Sequence, residues 1–100
     1  MNNFGLPADI LADIIKTLRN YPEIKSAKVF GSRAKGSFKR YSDVDIAIFA
    51  DKSHSLAKHI KYDLEELDTI YNFDVLDYNT LSNVEIKAHI DRVGTEIYIA

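Results

Sequence analysis

Residues 41–49 read YSDVDIAIF, and how this run is resolved decides the fold. The apolar stretch after Asp43 has the composition of a buried strand, yet Asp43 and Asp45 are two carboxylates one residue apart. Alternate residues of a strand share a face, about 6.6 Å apart along the chain. Like charges at that spacing repel by about 2–3 kcal/mol at an effective dielectric near 20. A solvated strand end would explain Asp43 better than Asp45, which lies between Val44 and Ile46. A carboxylate in that position must be hydrogen-bonded or bound to a cation, because burying it bare costs several kcal/mol. Mg²⁺ suits such a pair, since it takes one or two carboxylates and leaves positions for phosphate oxygens.

Working outward, residues 7–20 read as a helix. Pro7 suits its first turn, Asp9 its positive end, and Ile10, Leu11, Ile14, Ile15 and Leu18 form one apolar stripe. Tyr21-Pro22 stops it. Residues 27–30 read as a short strand ending at Gly31-Ser32, followed by a helical turn over 33–36 and a polar loop over 37–42. The strand over 43–49 leads to a second long helix over 55–70, with Leu56, Ile60, Leu64, Leu67 and Tyr71 facing inward. Residues 73–77 form a third strand. Ser82 and Glu85 have capping-box spacing and open a last helix to about Arg92, which Gly94 ends before an edge strand over 96–99. The order αβαβαβαβ predicts a small mixed sheet of about four strands with helices mainly on one side, an α+β or α/β sandwich.

The 100 residues are expected to form one domain, 1–100. With no cysteine, disulfides and thiolate metal sites are excluded. No apolar run has the length of a membrane span and no basic-then-apolar leader opens the chain, so a cytoplasmic location is expected. A net charge of −2 argues against coating nucleic acid by charge alone, and no direct nucleic-acid binding is expected. The charge is unevenly distributed. Residues 24–42 carry Lys25, Lys28, Arg33, Lys35, Lys39 and Arg40 and no acid, whereas residues 62–84 carry Asp63, Glu65, Glu66, Asp68, Asp74 and Asp77 and no base. A basic segment leading into an acid pair suits a phosphate site that needs a metal; two solvated faces of opposite sign are the plainer alternative.

A metal-binding pair calls for a third carboxylate on a neighbouring strand. Asp74 and Asp77, three apart in FDVLDY, point to opposite faces, so only one can join the pair. Asp74 is better placed, because it sits within the apolar run while Asp77 lies at the strand end, where capping is common. Gly31-Ser32 falls at a strand-to-helix turn, where free N–H groups and partial positive charge attract anions. GSRAKGS has glycines at 31 and 36, but a Walker A loop would require Lys and then Ser or Thr where Ser37 and Phe38 stand. The P-loop reading fails.

The combination Gly31-Ser32, ten intervening residues, then Asp43-x-Asp45, with a later Asp on another strand, is more specific than any part. GSRAKG, YSDVDIAI and FDVLDY together resemble the DNA polymerase β-like nucleotidyltransferase superfamily, and within it the minimal nucleotidyltransferases (MNT) of bacteria and archaea. The likeness spans essentially the whole chain; Lys35, where many relatives carry Arg, departs from it while keeping the charge. It implies that Gly31 and Ser32 hold the nucleotide's β- and γ-phosphates, and that Asp43, Asp45 and Asp74 bind two Mg²⁺ ions and carry catalysis. Arg33 and Lys35 could add charge at the phosphates, a solvated short helix being the alternative for each.

The resemblance further implies transfer of AMP from ATP to a hydroxyl, with a HEPN-domain ribonuclease toxin as partner in a hetero-oligomer. A tyrosine of that toxin would be the acceptor, and the chain would serve as antitoxin. Two other readings compete: an antitoxin that only occludes its toxin, and a transferase acting on a small molecule such as an aminoglycoside. Lys39, Arg40 and Tyr41 precede the acids and read as a polar loop, although contact with nucleotide or acceptor is open. His54, His59 and His89 share no ligand spacing and read as surface or boundary residues.

Overall fold

A computed structural model of the chain describes residues 3–51 and 55–100. His54 lies outside the described residues. The elements run α1 (Ala8–Arg19), β1 (Ile24–Phe30), α2 (Gly31–Lys35), β2 (Val44–Ala50), α3 (Ala57–Glu65), β3 (Phe73–Asp77), a 3₁₀ turn (Tyr78–Thr80), α4 (Val84–Val93) and β4 (Thr95–Ile99). The strands form one mixed sheet in the order β3-β2-β1-β4. β1 is antiparallel to both β2 and β4, and β2 runs parallel to β3. The expected class and strand number stand. Among the described residues, no helix is long and apolar enough to cross a membrane.

The helices are shared between the two faces of the sheet, not gathered mainly on one. Val44, Ile46, Ile48 and Ala50 of β2 join Phe73 and Val75 of β3 in one core with Ile14 and Leu18 of α1 and Ile60 and Leu64 of α3. On the other face Phe30, Ala47 and Ile90 bring α4 down onto the sheet, with Phe49, Leu76 and Ile86 packed around them. The physical reason is visible in β2, where Ala47 and Phe49 give the odd positions an apolar surface of their own. A strand apolar on both faces needs cover on both.

Element boundaries differ from expectation in several places. β1 begins at Ile24, which is buried, and a register irregularity between Ile24 and Ser26 breaks the alternation ahead of Ala27. α3 ends at Glu65 instead of reaching residue 70. There the Leu67 N–H turns to the Leu64 carbonyl at 3.1 Å, a tighter bond that closes the last turn, while Leu67 and Tyr71 still pack on the core. The cap of α4 is Asn83, whose side chain accepts from the Ile86 N–H at 3.1 Å, one residue beyond the Ser82 expected from the capping-box spacing. Gly94 does end α4. A Cβ there would lie 2.4 Å from the Ile90 carbonyl oxygen, so the close return of the chain excludes a side chain.

Candidate active site

The site is assembled at the start of β2 and β3 and the end of β1, on the α4 face of the sheet. Asp45 is the register partner of Phe30 on β1 and of Asp74 on β3. Parallel neighbours stand about 4.8 Å apart, so two carboxylates face one another across adjacent strands. Asp43 lies just before β2 and is exposed, as is Asp74, whereas Asp45 is half-buried. Burial pushes the Asp45 carboxyl up to about 6; Asp74 and then Asp43 add to the rise, and Arg33 opposes it. The repulsion anticipated between Asp43 and Asp45 is therefore present, with Asp74 contributing more than Asp43.

The same alternation separates Asp74 from Asp77. Asp77 points to the α1–α3 face, where its carboxylate accepts from the N–H groups of Leu56 (3.1 Å) and Ala57 (3.2 Å) at the start of α3. It is a helix cap supplied from a neighbouring strand. Asp77→Ala is expected to lower stability by about 1 kcal/mol in urea denaturation, the usual worth of such a cap.

Gly31 follows β1 directly with φ at +72° and opens α2. A Cβ built on it would lie 2.2 Å from Asp45 Oδ2. Backbone and carboxylate are thus in contact, which only glycine permits here. The Gly31 N–H donates to His89 Nε2 at 3.2 Å, and the His89 ring meets Phe30 edge to face at 6.1 Å between centroids. His89 is half-buried and ties α4 to the turn, a contact across 58 positions that no local spacing signals. His59 is exposed, as expected. Ser32 is half-exposed beside Gly31, and its carbonyl closes α2 by accepting from the Ser37 N–H at 3.0 Å.

Of the two cations expected at the phosphates, Lys35 is exposed at the last turn of α2. Arg33 is not available there. It is 1% exposed, and its guanidinium donates to the carbonyls of Phe4, Arg40 and Ser42. The expectation of a phosphate contact is corrected by this burial, because all three guanidinium nitrogens are turned inward. Lys39, Arg40 and Tyr41 are exposed in a tight turn, in which the Lys39 N–H donates to Ser42 Oγ at 2.8 Å and the Arg40 guanidinium stacks 5.3 Å from the Tyr41 ring.

Among the described residues, no three or more His, Asp or Glu side chains are gathered tightly enough to hold a metal ion as they stand. Asp43, Asp45 and Asp74 are electrostatic neighbours, not a closed ligand set. A hard divalent cation fits them chemically: all three offer oxygen, and the strained carboxyl of Asp45 would be relieved by positive charge.

On this mixed sheet a glycine-serine turn thus lies against Asp45, with Asp43 two residues before it and Asp74 on the parallel neighbour strand. The family model described as "Polymerase beta, Nucleotidyltransferase" matches residues 12–100, and the chain belongs to that family. A 55-residue stretch is 42% identical to the probable protein adenylyltransferase MntA of Haemophilus influenzae, over 53% of this chain and 48% of that protein. The match spans about half the length of that curated relative. A crystal structure of a toxin–antitoxin with AMP-PNP superposes with a TM-score of 0.69 at 27% identity, over 90% of this chain and 73% of that one. A complex of tri-AMPylated Shewanella oneidensis HEPN toxin with MNT antitoxin gives 0.62 at 25%, over 91% and 71%. The MntA–HepT toxin–antitoxin structure, 23% identical with a TM-score of 0.67 over 94% and 74%, supports the fold.

Proposed function

We propose that this chain is a Mg²⁺-dependent nucleotidyltransferase that moves AMP from ATP to a tyrosine hydroxyl of a HEPN ribonuclease toxin, and so acts as its antitoxin within a hetero-oligomer. The observation that carries the proposal is Asp45, a half-buried carboxyl raised to about 6 with Asp74 and Asp43 as neighbours and Gly31 against its oxygen. The relatives supply the choice of nucleotide and partner: one is named a protein adenylyltransferase, and another is seen with an AMPylated toxin.

In this reading Asp43, Asp45 and Asp74 would hold Mg²⁺, which supplies positive charge against the triphosphate and the charge developing in transfer. Gly31 and Ser32 receive the β- and γ-phosphates, Gly31 by allowing close approach and Ser32 by its hydroxyl. Lys35 adds charge from the solvent side. Asp74, exposed at the sheet edge, takes the proton of the acceptor hydroxyl as its oxygen attacks the α-phosphorus. The new O–P bond forms as the bond to the β-phosphate oxygen breaks, and pyrophosphate leaves.

Mass spectrometry of the neighbouring gene's product, incubated with this protein, Mg²⁺ and each nucleoside triphosphate, is expected to show AMP on a tyrosine with ATP alone. Asp74→Asn is expected to abolish that product, to fold and dock on the toxin as before, and to leave cells unprotected at matched expression. Full protection by Asp74→Asn, with no modified tyrosine, would replace the catalytic reading by simple occlusion.

A further inference from the structure

Arg33 heads the fully buried side chains of the fold. A guanidinium in that position is tolerated only if its donors are met. Nε donates to the Ser42 carbonyl at 3.1 Å, one terminal nitrogen to the Phe4 carbonyl at 2.8 Å, and the other to the Arg40 carbonyl at 3.2 Å. The rings of Phe38 and Tyr71 lie 5.0 and 5.1 Å from its central carbon. Apart from Phe4, which lies before α1, these partners belong to the chain segments that lead into the site. The Ser42 carbonyl belongs to the peptide unit joined to Asp43. Tyr71 precedes Asn72, whose carbonyl accepts from the Val44 N–H at 2.9 Å where β2 and β3 begin to pair.

We propose that Arg33 is the positioning residue of this site: from inside the fold it clamps the loop before β2 and so fixes where Asp43 stands relative to Asp45 and Asp74. The inference rests on the catalytic reading of those three aspartates. Its mechanism is the rigid fork of the guanidinium, which reaches three carbonyls in different directions at once. A lysine ammonium is a compact charge without that planar fork and cannot reproduce it. Without the clamp, the loop over 36–43 is tied by the Lys39–Ser42 turn and the Ser37–Ser32 bond, and neither fixes the Ser42 carbonyl.

The test compares Arg33→Lys with the wild type in three measurements. Hydrogen exchange on the metal-free proteins is expected to show the amides of residues 39–44 exchanging about tenfold faster in the variant, the consequence of losing carbonyl bonds to a charged donor. Amides in α1 and α3 are expected to keep their rates. Mn²⁺ affinity, read by electron paramagnetic resonance, is expected to fall at least about tenfold, the lower end of the loss for a group that orients metal ligands. In transfer assays at saturating Mg²⁺ kcat falls.

A raised KM with kcat intact would return Arg33 to the phosphates and overturn the proposal; so would unchanged exchange and Mn²⁺ affinity. Exchange and Mn²⁺ binding need no turnover, so they decide the role of Arg33 even if no AMP transfer is found. Should Arg33→Lys fail to fold, Tyr71→Leu serves instead. It removes one aromatic face of the guanidinium from outside the loop and is expected to speed exchange over residues 39–44 about threefold, the scale of one cation–π contact. No change there would equally overturn the clamp.

Discussion

If the proposed function holds, Asp45→Asn is expected to abolish AMP transfer and, in the absence of divalent ions at pH 7, to make the protein more stable by about 1–2 kcal/mol, after discounting for the solvent that still reaches the carboxyl. The carboxyl sits at about 6 in the folded chain against 3.8 as its ordinary value, with burial as the leading cause. A raised carboxyl is one the fold prefers neutral. As pH rises through the interval from 3.8 to about 6, the unfolded chain gives up its proton first and wild-type stability falls. Above about 6 the charged form is present in both states and the whole penalty is felt. Asparagine carries no charge, so its advantage is full at pH 7, shrinks through that interval and vanishes below about pH 4. Urea denaturation of both proteins at pH 7 and pH 4 checks this. A wild type more stable than the variant at pH 7 would mean that Asp45 is already compensated within the chain, and the case for a cation at this site would lapse.

Gly31→Ala is expected to cost about 2–5 kcal/mol of stability and to remove transfer. Two effects add. A side chain at φ +72° costs about 1–2 kcal/mol, and a Cβ placed 2.2 Å from Asp45 Oδ2 forces the carboxylate or the turn aside, which costs about 1–3 kcal/mol more. Gly36→Ala isolates the first effect, since Gly36 has φ +82° and open space around its missing side chain. It is expected to lose about 1–2 kcal/mol only. Adding Asp45→Ala to Gly31→Ala relieves the collision and leaves the backbone strain, so the double variant should recover part of the loss, read as a coupling energy between the two positions. Strict additivity in urea denaturation would show that the turn moves away freely and that Gly31 and Asp45 do not constrain each other.

The parts of the fold legible in the sequence were those governed by local rules. The alternation around Asp43 and Asp45, the stripe from Ile10 to Leu18, and the punctuation by Pro22 and Gly94 each act within a few residues, and each led to the element observed. The opposite facing of Asp74 and Asp77 followed from strand geometry alone. What escaped was settled by contacts distant in sequence. Nothing near Arg33 announces that its charge will be met by carbonyls at positions 4, 40 and 42, and a basic residue after Gly-Ser reads naturally as a phosphate ligand. His89 likewise gains its role from Gly31, far away in the chain. α3 ends early where the Leu67 N–H tightens onto the Leu64 carbonyl, although the apolar periodicity continues to Tyr71. Sequence periodicity sees only the apolar spacing.

The cap that Asp77 gives α3 has a consequence for how β3 finds its place. β3 is an edge strand with β2 as its one neighbour in the sheet, and its register is set by what each of its faces buries. A slip of one residue would turn Asp77 away from Leu56 and Ala57 and drive Asp74 into the apolar layer of Ile60 and Leu64. The first change leaves two helix N–H groups unanswered, and the second buries a bare carboxylate at a cost of several kcal/mol. The mistaken alignment is therefore rejected twice, once by each aspartate. Asp77 proofreads the frame in which β3 is paired, and so keeps Asp74 opposite Asp45 without ever meeting it.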